Sequence, residues 1–166
     1  TVKDMGAESL NGAKRLLAQE AADRRYPNGQ VAAHRESLAG KKVLLAEDNE
    51  INMEIAKYIL EDAGIIVSCA KNGQAAVKGF EDSAEGEIDF ILMDILMPVM
   101  DGIEAAKTIR GLGREDAKTV PIIALSANAL DADVKKTRMA GMNEHLTKPV
   151  EKDVLIGTLA EYLLRE

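Results

Sequence analysis

Aromatic side chains make up only 3% of this 166-residue chain, with no tryptophan at all. A core without them has to be filled by Ile, Leu, Val, Met and Ala. There is a single cysteine, Cys69, which excludes a disulfide framework within the chain and a cysteine-rich zinc site. Cys69 ends the run Ile65-Ile66-Val67-Ser68-Cys69, which reads as a strand, so a buried and inert thiol is expected there. No apolar run approaches the roughly 20 residues of a bilayer-spanning helix, and there is no signal-peptide pattern. The expectation is a cytoplasmic domain without membrane contact of its own, whose parent protein is free to be membrane-anchored. An excess of basic residues is also missing. Net charge is −7, and residues 41–166 hold fifteen basic against twenty-three acidic side chains. Direct nucleic-acid binding, which needs a basic face, is not expected.

What is present is ordered in two parts. Residues 1–40 are nearly neutral, with six basic and five acidic side chains. Leu10, Ala13, Leu17 and Ala21 form a helical stripe, Tyr26-Pro27-Asn28-Gly29 interrupts it, and a polar connector follows. His34, in that connector, reads as a solvated histidine. From Lys41 onward, short apolar runs alternate with helical stretches. Strands are expected at residues 43–46, 65–69, 90–93, 120–125 and 144–147. Helices are expected at 51–63, 74–80, from about 101, at 129–140, and near the C-terminus, where Val154, Leu155, Leu159, Tyr162 and Leu163 form a stripe. Gly64 and Gly141 are natural helix stops, and Asp101 with Glu104 makes a capping pattern. Ile51, Ile55, Ile59 and Leu60 give the first helix its period.

Five strand–helix units in series predict an α/β fold. It is a doubly wound five-stranded parallel sheet of flavodoxin-like (βα)5 type, order 2-1-3-4-5, preceded by the partly helical extension. In such sheets the site lies at the carboxyl ends of the strands, beside the switch between strands 1 and 3. Glu47 and Asp48 follow strand 1, Asp94 follows strand 3, Ser126 follows strand 4 and Lys148 follows strand 5. Three carboxylates in one crevice repel each other unless one is protonated or a cation binds. Their hard oxygen atoms select Mg²⁺, Mn²⁺ or Ca²⁺. An Asp beside such a metal can attack phosphorus and form an acyl phosphate, with Lys148 and Ser126 placed to offset charge on the other oxygens. Taken singly, Asp48 or Asn49 could be only a helix cap, Ser126 only a loop hydroxyl and Lys148 only a surface lysine.

Four stretches carry a family resemblance. They are Leu44-Leu45-Ala46-Glu47-Asp48-Asn49, the run from Met93-Asp94 through Met97-Pro98 to Asp101-Gly102, Ala124-Leu125-Ser126-Ala127, and Leu146-Thr147-Lys148-Pro149. In order and spacing they resemble the signature segments of two-component receiver domains, over residues 41–166. The resemblance implies that Asp94 is the phosphoacceptor. It implies that Glu47, Asp48 and Asp94, with the Leu96 backbone carbonyl, hold Mg²⁺, for which Mn²⁺ can substitute. Ser126 becomes the switch hydroxyl, Lys148 the partner of the phosphoryl group, and Lys148–Pro149 a cis bond. His145 stands at a second switch position that is usually aromatic. The donor it implies is a phosphohistidine on a histidine kinase core or a histidine phosphotransfer domain, and homodimer formation is left open. Such a domain catalyses its own phosphorylation and dephosphorylation without being a conventional turnover enzyme. The segment from Glu47 to Asn52, with Leu38-Ala39-Gly40-Lys41-Lys42 before it, is most similar to the C-terminal receivers of hybrid sensor histidine kinases. On that reading residues 1–40 are the linker or tail of a preceding kinase region.

Three other functions compete: an Asp-nucleophile phosphatase, a nucleotide-binding module and a degenerate receiver. An Asp-nucleophile phosphatase of the haloacid-dehalogenase type looks for a second Asp two positions after the nucleophile, and Leu96 stands there. A degenerate receiver would keep only protein interaction, yet every expected site residue is present. Neither nucleotide-binding glycine motif occurs.

Overall fold

The structure is a computed structural model that describes residues 38–127 and 131–164. The expected helix and connector before residue 38, with His34, lie outside the described residues. The chain divides into two compact units. One, Leu38–Val150, contains the whole sheet, and the C-terminal helix belongs to the other.

Five strands follow one another as β1 (Lys42–Ala46), β2 (Ile66–Ala70), β3 (Phe90–Asp94), β4 (Ile122–Ser126) and β5 (Glu144–Thr147). They form one sheet in the order β2-β1-β3-β4-β5, and every pairing is parallel. The helices are α1 (Glu50–Asp62), α2 (Gly73–Asp82), α3 (Gly102–Arg110), the short α4 (Glu115–Thr119), α5 (Asp131–Met139) and α6 (Lys152–Leu164). The predicted fold and strand order are therefore observed, and α4 is the one described element that the apolar pattern does not announce.

The central strands are apolar on both faces because both are covered. Leu44, Ala46, Ile91, Met93, Ile122 and Ala124 point to one side, where Phe80 of α2 and Ile109 of α3 meet them in a single cluster. The alternate residues Val43, Leu45, Leu92 and Ile123 are fully buried on the other side. Each such side chain stabilises the fold by roughly 1.5–3 kcal/mol. Helix α1 packs on β1 and β2 through Met53, Ala56, Ile59 and Leu60. Ile51 and Ile55, which share the expected apolar period, face outward instead at 72% and 49% exposure.

Helix starts follow their caps. Asn49, Asn72 and Asp101 each accept a hydrogen bond from the backbone N–H three residues on. Gly64 and Gly141 end α1 and α5 at φ +82° and +93°, as expected of stops in the left-handed region. One expectation fails. Cys69 is exposed, because β2 is an outer strand with a neighbour only on its β1 side, and burial there falls off along most of its length. Partial burial still pushes the Cys69 thiol up. Among the described residues no helix is long and apolar enough to cross a membrane. Within α6, Leu155, Ile156, Leu159 and Ala160 are buried.

Candidate functional site

The parallel register brings the chemistry together. Ala46 at the end of β1 stands opposite Met93, so Glu47 and Asp94 come next on adjacent strands. Asp94 pairs in register with Leu125, and Ser126 with Thr147, which places Lys148 just beyond. The Lys148 N–H donates to the Ser126 carbonyl at 2.7 Å, and the Lys148–Pro149 bond is cis.

Three carboxylates converge. Single oxygens of Glu47, Asp48 and Asp94 lie within 4.8 Å of one another. Glu47 and Asp94 are buried at 3% and 4% exposure, and Asp48 is exposed. The cap of α1 is Asn49, whose side chain accepts from Asn52 N–H. Helix capping therefore does not account for Asp48. Glu47 is oriented by Asn49 N–H, which donates to its Oε1 at 3.2 Å.

Lys148 Nζ reaches between the two buried carboxylates, 2.7 Å from Glu47 Oε2 and 2.8 Å from Asp94 Oδ2. Burial works to lower the Lys148 ammonium, but the hydrogen bonds to Asp94 and Glu47 outweigh it and hold it above its ordinary value. Burial pushes the Glu47 carboxyl up. Lys148 opposes this and the Asp94 charge adds to it. One ammonium therefore does not balance this cluster. An all-oxygen donor set with surplus buried negative charge fits a hard divalent cation.

The loop after Asp94 is held tightly. Gly102 N–H donates to the Ile95 carbonyl at 2.8 Å, and a Cβ on Gly102 would stand 2.1 Å from the Asp94 carbonyl oxygen. Only glycine lets α3 start that close to the acidic strand end. At the loop's tip Met100 N–H donates to the Pro98 carbonyl at 2.8 Å across Val99, whose φ is +69°. That is a γ-turn of the strained, positive-φ kind. The Leu96 side chain, two residues past Asp94, is 77% exposed.

Glu47, Asp48, Asp94 and Lys148 thus form one constellation, with Ser126 joined to it through its backbone. The Ser126 hydroxyl is also engaged with His145, Oγ to Nε2 at 2.6 Å. Behind the ring, Thr137 Oγ1 lies 3.5 Å from His145 Nδ1. Thr137 carries no signal in the sequence, since a threonine inside a polar helix looks like a surface residue.

The profile of the response regulator receiver domain matches residues 43–160. A two-component response regulator of Oryza sativa subsp. japonica is 43% identical over 125 residues, which cover 74% of this chain and 94% of that protein. Hybrid signal transduction histidine kinase I of Dictyostelium discoideum is 37% identical over 117 residues, 69% of this chain but 7% of the kinase. The chain thus spans nearly the whole of the first relative and a small part of the second. Among solved structures, the receiver domain of a sensor histidine kinase from Pseudomonas aeruginosa superposes with a TM-score of 0.68. It is 38% identical, over 75% of this chain and 98% of that one, and holds a magnesium ion in its active site cleft. The receiver domain of the Saccharomyces cerevisiae response regulator Ssk1, solved in complex with the histidine phosphotransfer protein Ypd1, gives 0.67 at 34% identity. That match covers 75% of this chain and 90% of the other. The sheet order, the acidic strand ends and these likenesses agree: the chain belongs to the response regulator receiver domain family and serves in two-component phosphorelay signalling.

Proposed function

We propose that Asp94 is the phosphoacceptor, loaded from a phosphohistidine. The observation that carries this reading is the convergence of Asp94, Glu47 and Asp48 on one point with Lys148 between the two buried carboxylates. A carboxylate oxygen of Asp94 forms a bond to phosphorus as the phosphorus–nitrogen bond of the donor breaks. The electron pair of that bond stays on the departing imidazole nitrogen. Glu47, Asp48 and Asp94 would hold Mg²⁺, or Mn²⁺ in its place, with the Leu96 carbonyl as a further ligand. When bound, the metal supplies positive charge to the phosphoryl oxygens. Lys148 is released from its contact with the Asp94 carboxylate and turns its ammonium to a phosphoryl oxygen. Ser126 gives its hydroxyl to another, and His145 registers that departure. Loss of the phosphoryl group by hydrolysis restores the resting pairs.

The donor partner would be a histidine kinase core or a histidine phosphotransfer protein. The yeast receiver supports the second, and the kinase relatives support a place within a hybrid kinase; we read residues 41–166 as the receiver and residues 1–40 as its lead-in from a kinase region. A small acyl phosphate with Mg²⁺ is expected to add one phosphoryl group, labile to base and to hydroxylamine. Asp94→Asn is expected to abolish it, measured by intact mass. Full labelling of that variant would overturn the assignment.

A further inference from the structure

The hydroxyls on either side of His145 decide where its proton sits. Thr137 Oγ1 is 2.9 Å from the Val134 carbonyl one turn earlier in α5. The 2.9 Å contact to the Val134 carbonyl is far shorter than the 3.5 Å one to His145, so the one hydroxyl hydrogen of Thr137 is given to Val134. Toward His145 Nδ1, 3.5 Å away, Thr137 Oγ1 is left with lone pairs only. Thr137 is 1% exposed, so its hydroxyl is not opened to bulk water. A neutral ring next to that oxygen is favoured with its hydrogen on Nδ1, and Nε2 is then a bare acceptor. The 2.6 Å contact between Nε2 and Ser126 Oγ must in that case be supplied with its hydrogen by the serine.

We propose that Thr137 is a positioning residue that fixes the Nδ1–H tautomer of His145, so that in the resting state Ser126 donates its hydroxyl hydrogen into the ring. The hydrogen bonds then run in one direction, from Ser126 on β4 through His145 on β5 to Thr137 and Val134 on α5. A serine hydroxyl has one hydrogen. It cannot serve the ring and a phosphoryl oxygen at once. The ring therefore competes with the phosphoryl group for Ser126, and its loss of the serine is felt at α5 through Thr137. This consequence rests on the proposed role of Ser126. The tautomer does not.

The test uses the unphosphorylated full chain, labelled with ¹⁵N, at about pH 8.5, where an imidazole is ordinarily neutral. Its two imidazoles, His34 and His145, are told apart by His34→Gln. Two- and three-bond proton–nitrogen correlations are expected to show His145 protonated at Nδ1 and bare at Nε2. Thr137→Ser is expected to keep that pattern, and Thr137→Val to convert much of the ring to the Nε2–H form. An Nε2–H ring in the unsubstituted protein would overturn the proposal, as would a Thr137→Val spectrum identical to it. If Thr137→Val does not fold, Thr137→Ala removes the same oxygen and is expected to shift the ring in the same way, and an unchanged spectrum would overturn the proposal. On phosphorylation, the His145 Nε2 resonance is expected to move as Ser126 leaves it. Failure of Asp94 to take up a phosphoryl group would count against the proposed function and leave the tautomer result standing.

Discussion

Val99 shows how much a single position in the loop after Asp94 is asked to bear. A β-branched residue at φ +69° is in the region that glycine and asparagine occupy readily and valine does not. Its side chain is 77% exposed, so no burial offsets the strain. Val99→Gly is expected to raise stability by about 0.5–1 kcal/mol, the relief of strain exceeding the greater freedom of glycine in the unfolded chain. Urea unfolding checks this, and a loss of similar size would show that the Val99 side chain makes a contact that the exposed geometry does not suggest. Gly102 is the opposite case in the same loop. Any side chain there would strike the Asp94 carbonyl oxygen, so the residue is required by space and not by conformation.

Among the elements, starts and stops are carried by single side chains. Asp101 Oδ1 accepts Glu104 N–H at 2.8 Å and opens α3 directly behind the loop after Asp94. Asp101→Ala is expected to cost about 1 kcal/mol of stability by chemical denaturation. A change below a few tenths would mean that the loop, and not the cap, sets where α3 begins. The caps and apolar runs also explain what could be read in advance. The strands and first helices lie within two residues of their expected places, because hydrophobic runs and glycine stops are local signals. The order of the strands follows from the series of strand–helix units. Three features were not legible. Ile51 and Ile55 share the period of α1 but not its buried face, since periodicity marks a helix without saying which stripe the sheet takes. The expected order already places β2 outermost, but the apolar run of that strand does not say which of its side chains the neighbouring helix covers, so the exposure of Cys69 stayed hidden. Helix α4 has only five residues and one buried side chain, Ala117, too little for a pattern. At the site, the identities Glu47, Asp48, Asp94, Ser126 and Lys148 were readable at the strand ends. The Lys148 pairing with two carboxylates, and Thr137 behind His145, needed three dimensions.

For the molecule as a whole, the acidic cluster ties stability to pH and, on the proposed function, to metal. Folding raises the Glu47 carboxyl above its usual 4.5. A raised pKa contributes stability that is full below the unfolded value and lost as pH rises through the folded value. Without metal, this group therefore makes the protein less stable at neutral pH than near the ordinary carboxylate range, before other carboxylates begin to protonate. Mg²⁺ held there as proposed would require the ionised form and act against that loss. At about one hundred times its dissociation constant it is expected to add about 2.7 kcal/mol. Thermal melts with Mg²⁺ and with chelator should show a larger metal-dependent gain at pH 7.5 than at pH 5, and Glu47→Gln should flatten the difference. Equal gains at both pH values would remove Glu47 from the set of groups that feel the metal.

The clasp that Lys148 makes across Glu47 and Asp94 has one more consequence, for its own reactivity. An amine attacks an acylating reagent only through its free lone pair, and an ammonium held above its ordinary pKa by two carboxylates offers very little of it. Lys148 is accordingly shielded from adventitious acylation for as long as the clasp is closed. On the proposed function, the residue that would deliver a positive charge to the phosphoryl group is kept chemically intact by the two carboxylates it pairs with at rest.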